Sequence, residues 1–174
     1  MHRRPRPVTP VGHSPFTIRA APLAPSHAEL HHTFELAAVL ESHAVSRVAA
    51  AAMRDLLAAR QALAELERAI DTGHLAQWAA LEIRVHRALD DQGGNLVLAS
   101  MAERTLRDGL TACPILTPDV LRALHAQHHA ILRCVAARDA EGAVRHTRAH
   151  LVSLRDALIG AQRIGPRTRL RLPS

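Results

Sequence analysis

Along most of its length this chain repeats apolar residues every three or four positions, and only capping residues, glycines and prolines interrupt the repeat. That period belongs to the α-helix, whose 3.6 residues per turn gather such positions on one face. Ser26 with Glu29 three residues later forms a capping box. It predicts a helix over 26–52 that buries Phe34, Leu36, Val39, Leu40 and Val48. A second helix is predicted over 55–71, stopping at Gly73, a residue suited to the left-handed position after a helix. A third, over 74–91, carries Trp78, Leu81, Val85 and Leu89 on its apolar side and ends at Gly93-Gly94. Asn95 caps a fourth, which runs to 111 before Pro114. Thr117-Pro118-Asp119 opens the fifth, to 137, with a capping hydroxyl, proline in the first turn and an acid beside it. Asp139 caps the sixth, to 160, and Gly165-Pro166 follows.

Six helices on short connectors predict an all-α fold, an antiparallel bundle. Ala and Leu dominate, Phe16, Phe34 and Trp78 are the only aromatic residues, and Tyr is absent. Strands favour aromatic and β-branched residues, so this composition argues against a sheet. The chain has the length of one domain, expected over 26–160. Residues 1–25 hold Pro5, Pro7, Pro10, Pro15, Pro22 and Pro25 and read as a disordered basic leader; 161–174 read as a disordered basic tail.

The net charge of +6 sits in those flanks. Arg3, Arg4, Arg6 and Arg19 face no acid within 1–28, nor do Arg163, Arg167, Arg169 and Arg171 within 161–174. The remaining body carries 14 arginines against 16 acids. A fold that grips a phosphate backbone concentrates positive charge on a folded face, which this distribution does not predict. Cys113 and Cys134 form no C-x-x-C motif and read as free thiols in a reducing cytosol. No apolar run is long enough to span a membrane, and no secretory leader is evident, so a cytoplasmic protein is expected.

The chemistry lies in the histidines. Glu82 and His86 stand four apart on the third helix, flanked by Leu81, Val85 and Leu89. His125, His128 and His129 lie on the fifth. There His128 falls one turn from Leu124, Ile131 and Leu132 and points inward, while His125 and His129 share a stripe nearer solvent. His146 and His150 stand four apart on the sixth, His150 near Val144, Leu151 and Leu154. One carboxylate and three imidazoles make a common donor set for zinc or another borderline divalent ion. Each histidine alone reads equally as a surface or hydrogen-bonded residue. Inward histidines on two helices beside a carboxylate–histidine pair on a third leave a metal centre and a metal-free polar network both open.

The order of motifs resembles a known family. Glu35-Leu36-Ala37-Ala38-Val39-Leu40-Glu41 comes first, followed by Glu82-Ile83-Arg84-Val85-His86-Arg87-Ala88-Leu89 and Gly94-Asn95. Then come Gln127-His128-His129-Ala130-Ile131-Leu132 and Ala137-Arg138-Asp139-Ala140-Glu141-Gly142-Ala143, running on to His150-Leu151. Over about 30–158 this resembles the FCD domain, the ligand-sensing half of FadR-type GntR transcriptional regulators. The resemblance implies a bundle of six or seven helices that binds a divalent metal, beside a pocket for a small organic acid. The implied ligands are Glu82, His86, His128 and His150; zinc is the ion expected, with nickel and manganese as alternatives. Glu82 stands where the family has Asp, Gln127 where an acid is common, Val85 where Phe is common, and Ala37 where many members carry Arg. Arg104 and Arg107 on the fourth helix are the candidate replacements for an anion clamp, and Asn95 reads as a helix cap.

The family also implies a homodimer, and DNA binding through a winged helix ahead of this domain. Twenty-five proline-rich residues cannot build that module, so it is expected to be absent, through truncation, a misplaced start or a stand-alone sensor. The function expected is effector sensing for transcription regulation, without catalysis. The alternatives are a helical-bundle metal-dependent hydrolase, with His125, His129 or His146 as base, and a metal-free dimerisation module.

Overall fold

The capping box at Ser26 starts the first helix as predicted: Ser26 Oγ accepts from the Glu29 backbone at 3.2 Å, and Glu29 accepts from the Ser26 backbone at 2.7 Å. The structure, a computed structural model, describes residues 24–164. It contains α1 (His27–Ala50), α2 (Leu57–Asp71), α3 (Trp78–Asp90), α4 (Leu96–Leu110), α5 (Pro118–Ala136) and α6 (Ala140–Ile164), with 3-10 turns at Leu75–Gln77 and Asp91–Gly93. This is an all-α bundle. Thr117, Asn95 and Asp139 accept backbone N–H groups at the starts of α5, α4 and α6.

Several boundaries differ from the expectation, among them the end of α1, at Ala50 rather than 52. The second helix begins at Leu57, because the Asp55 side chain takes the Leu57 N–H at 2.8 Å and holds a turn there. The third opens as a 3-10 turn and becomes α-helical at Trp78. The sixth passes Gly160 and continues to Ile164, and Gln162 reaches back to the Pro25 carbonyl at 3.0 Å. The rest of the expected leader and tail, 1–23 and 165–174, lies outside the described residues.

Helix α1 packs against α6 and α4 and also touches α3 and α5; α5 packs against α6 and α2, and α3 against α2 and α4. The buried stripe of α1 runs through Leu30, Phe34, Ala37, Glu41, Ala44, Val45 and Val48. Leu36 and Val39, expected inside, are 50% and 60% exposed, and Leu40 is half-buried. The face they would have claimed carries Glu41 instead. Four helices thus look onto one interior that is partly polar.

Where α1 crosses α4 the backbones come close. A Cβ on Gly109 would lie 2.9 Å from Phe34 Cε2 and 3.3 Å from Thr33 Cγ2. Phe34 is buried and cannot swing aside. Gly109→Ala is expected to destabilise the protein by about 1–3 kcal/mol, read as an earlier urea midpoint; an unchanged midpoint would show that the crossing has slack.

Candidate metal centre

Three helices, α3, α5 and α6, offer the site polar residues where their apolar stripes would otherwise run on. On α3 the buried positions are Trp78, Glu82, Ile83, Val85, His86, Leu89 and Asp90, so Glu82 and His86 follow Trp78 down the inner face. On α5 His128 lies between Leu124 and Ile131. On α6 His150 sits beside Leu151 and Leu154 and is fully buried.

These four side chains converge. Glu82 Oε1 lies 2.9 Å from His150 Nε2, 3.3 Å from His128 Nε2 and 3.6 Å from His86 Nε2. His86 Nε2 is 3.2 Å from His150 Nε2 and 3.3 Å from His128 Nε2. All four donor atoms fall within 4.8 Å of one another. A tetrahedral ion with bonds of about 2.0–2.1 Å spaces its donors about 3.3–3.4 Å apart. An octahedral ion with bonds of about 2.0–2.2 Å spaces adjacent donors about 2.8–3.1 Å apart. The five separations run from 2.9 to 3.6 Å and bracket both ranges, so these residues could hold a divalent ion with small adjustments, chiefly between Glu82 and His86.

Hydrogen bonds behind the rings set their orientation. His86 Nδ1 meets Glu41 Oε2 at 3.0 Å, and His150 Nδ1 meets Gln127 Oε1 at 3.2 Å. Gln127 is itself tied to Ser153. With Nδ1–H donating outward, both rings turn an Nε2 lone pair toward the centre, the arrangement that metal-binding histidines use. Three imidazole nitrogens and a carboxylate oxygen meet at one point, and either protons shared among the rings or a cation could satisfy them.

Without an ion the cluster is held by charge: a proton favoured on His86 sits where a metal would have to displace it. Burial opposes charge on Glu82, yet His128, His150 and His86 hold its carboxyl well below the usual range. Burial likewise opposes charge on His86, and Glu41 and Glu82 outweigh it, raising that imidazole well above its ordinary value. Burial, with His128 beside it, pushes His150 down to about 4, leaving a neutral ring ready to donate its lone pair.

Sequence reasoning missed two members of this interior. Glu41 is 2% exposed on α1, and Asp90 is buried one turn beyond His86. Burial and then Glu41 raise the Asp90 carboxyl well above its usual range. Both Asp90 oxygens, Glu41 Oε1, His128 Nδ1 and Thr147 Oγ1 are buried without a hydrogen-bond partner among the described residues. Glu41, His86, Asp90, His128 and Thr147 border a cavity of about 10 Å³, closed off by apolar residues such as Val45 and Ile131. That space suits about one water molecule. Glu41 stands in register with Leu30, Phe34 and Ala37, and Asp90 at i+4 from His86; those spacings were the available signals.

Arg104 and Arg107 are not brought to the cluster. The inner face of α4 is Ala99, Ala102, Leu106 and Gly109, which leaves both arginines exposed on the other side. Arg107 pairs with Glu103, which also holds Arg87 at 2.8 Å. Neither arginine borders the cavity. His146 is exposed on α6, and Cys113 and Cys134 are free. No helix among the described residues is long and apolar enough to cross a membrane.

A helical bundle with a buried carboxylate–trihistidine cluster is the class of domain these observations define. The sequence pattern of the FCD domain matches residues 32–153, and the chain belongs to that family. It therefore carries a regulatory domain of the kind found in GntR-type regulators. Among solved structures the bundle is similar to a GntR protein of Streptococcus agalactiae, at 19% identity and a TM-score of 0.63. The match covers 74% of this chain and 59% of that one, so this chain spans well under two thirds of the relative's length. No curated protein matches the chain.

Proposed function

We propose that this chain is the effector-sensing part of a GntR-type regulator, holding a divalent metal, zinc foremost, on Glu82, His86, His128 and His150. The convergence of those four donors from three helices carries the reading. When bound, the ion supplies positive charge and open coordination positions in a buried site. Glu41 and Gln127 orient His86 and His150, and Asp90 and Glu41 make the adjoining cavity acidic.

The effector proposed is a small organic acid. The buried Glu41 carboxylate beside the site repels an anion, and burial holds Asp90 toward its neutral form, so the acid depends on the metal for its attraction. A cavity of about 10 Å³ also has no room for it, and its entry must part the helices around the site. A ligand that binds one helix arrangement better than another is what a sensor requires. DNA contact belongs to a winged-helix module in the full-length family, and this domain would pass its state to such a module. A homodimer completes the proposal; light scattering is expected to give twice the 18.9 kDa chain mass, and a monomer at micromolar concentration would remove that part.

Metal analysis of gently purified protein, followed by a thermal-shift screen of organic acids with and without zinc, tests the reading. At least one acid is expected to raise the midpoint with zinc and to do nothing without it. Protein that takes up no divalent ion, or responds equally to acids in chelator, overturns it.

A further inference from the structure

On either side of His128, α5 carries a second histidine pair, His125 and His129, outside the buried cluster. His125 Nε2 and His129 Nε2 lie 3.2 Å apart on rings set nearly perpendicular, and Glu67 Oε2 reaches across from α2 to 4.0 Å from His125 Nε2. The three donor atoms fall within 4.8 Å of one another. His125 is 7% exposed, against the expectation that it faces solvent with His129, and its Nδ1 is buried without a partner among the described residues. The ring is thus fixed in packing with Nε2 turned outward toward His129 and Glu67.

We infer that Glu67, His125 and His129 form a second divalent-metal site, distinct from the buried cluster, that ties α2 to α5. The chemistry is that of a zinc site with three protein donors and the remaining positions left to water. Histidines four apart on a helix present two nitrogens to one point. Their 3.2 Å separation is already close to what a shared ion imposes, about 3.3 Å for tetrahedral coordination at 2.0 Å. Glu67 has an exposed side chain, free to rotate the short distance needed. Access is open: a groove of about 240 Å³ bordered by Glu67, Asp71, Arg122, His125 and His129 lies on one side. A groove of about 310 Å³ bordered by Glu67 and His129 lies on the other. Borderline ions with imidazole affinity, zinc, nickel, cobalt or copper, match this donor set. The His125 and His128 rings are 6.5 Å apart between centroids, so an ion here braces the helix that serves the buried site.

The two sites are separable by experiment. Chelator-treated full-length chain is titrated with cobalt(II), followed by visible absorbance and by calorimetry. His129→Ala and Glu67→Gln are each expected to remove one equivalent or weaken it at least tenfold, whatever the buried site takes up. Both residues are exposed, and unchanged helical circular dichroism confirms that folding is intact. His146→Ala, an exposed histidine elsewhere, is expected to leave the titration unaltered. Glu82→Gln is expected to spare the equivalent that His129→Ala removes. A titration that neither His129→Ala nor Glu67→Gln changes, or that only one of them changes, overturns the assignment. Loss of the buried equivalent alone would instead bear on the sensor reading.

Discussion

Zinc added to the metal-free protein is expected to raise stability by about 4 kcal/mol once its free concentration reaches about a thousand times its dissociation constant. In a chain of this size that lifts the melting midpoint by roughly 8–16 °C. An ion held there would bind only the folded arrangement, because the four donors come from helices far apart in sequence and meet only when α3, α5 and α6 are packed. Glu82→Gln keeps the shape of the side chain and removes its charge from the centre of three imidazoles. The metal-free variant is a stable reference only if compared with itself, so the quantity to read is the zinc-induced shift within each protein. That shift is expected to fall to the small part contributed by the exposed Glu67 site. A Glu82→Gln protein that gains as much from zinc as the parent would show that the buried cluster holds no ion. His86→Ala and His150→Ala should lose the gain as well, but they also open buried space, and Gln at 82 is the cleaner substitution.

The helices were legible because their ends are written locally. Ser26, Asn95, Thr117 and Asp139 each accept the backbone N–H three residues ahead, a decision made within one turn. The stop expected at Gly160 failed because glycine alone only weakens a helix, by about 1 kcal/mol, and Gln162 anchors the extra turn to Pro25. Glu82 and His86 were legible by spacing, His128 and His150 by the apolar neighbours in their helices. Glu41 and Glu67 were not. A pattern search places carboxylates outside; Glu41 is drawn inward by His86, 45 residues away, and Glu67, though exposed, is placed beside His125 only by the packing of α2 on α5. The same rule of apolar inside sent Leu36 and Val39 to the core in place of Glu41. Where a fold reserves its interior for polar chemistry, hydrophobic periodicity points to the wrong face.

Glu41 therefore offers the second large effect. It is buried, and its Oε2 is the one partner recorded for His86 Nδ1 among the described residues. Glu41→Ala leaves His86 with no acceptor in a site that water hardly enters. Breaking a buried ion pair from one side costs about 3–5 kcal/mol, and the loss should appear as a lower urea midpoint in the metal-free protein. Glu41→Gln is expected to cost less, for two reasons. The amide oxygen can still take the Nδ1 proton, and removing the charge relieves Asp90, whose carboxyl is raised by burial and then by Glu41. Zinc affinity should nevertheless fall about 10–100-fold in Glu41→Gln, since the carboxylate behind a metal-binding imidazole strengthens its lone pair. Stability and affinity thus separate: Ala damages both, whereas Gln spares much of the first and loses the second. Equal zinc affinity in the parent and Glu41→Gln, measured by competition with a chromophoric chelator, would mean that Glu41 holds the bundle together without tuning the ion.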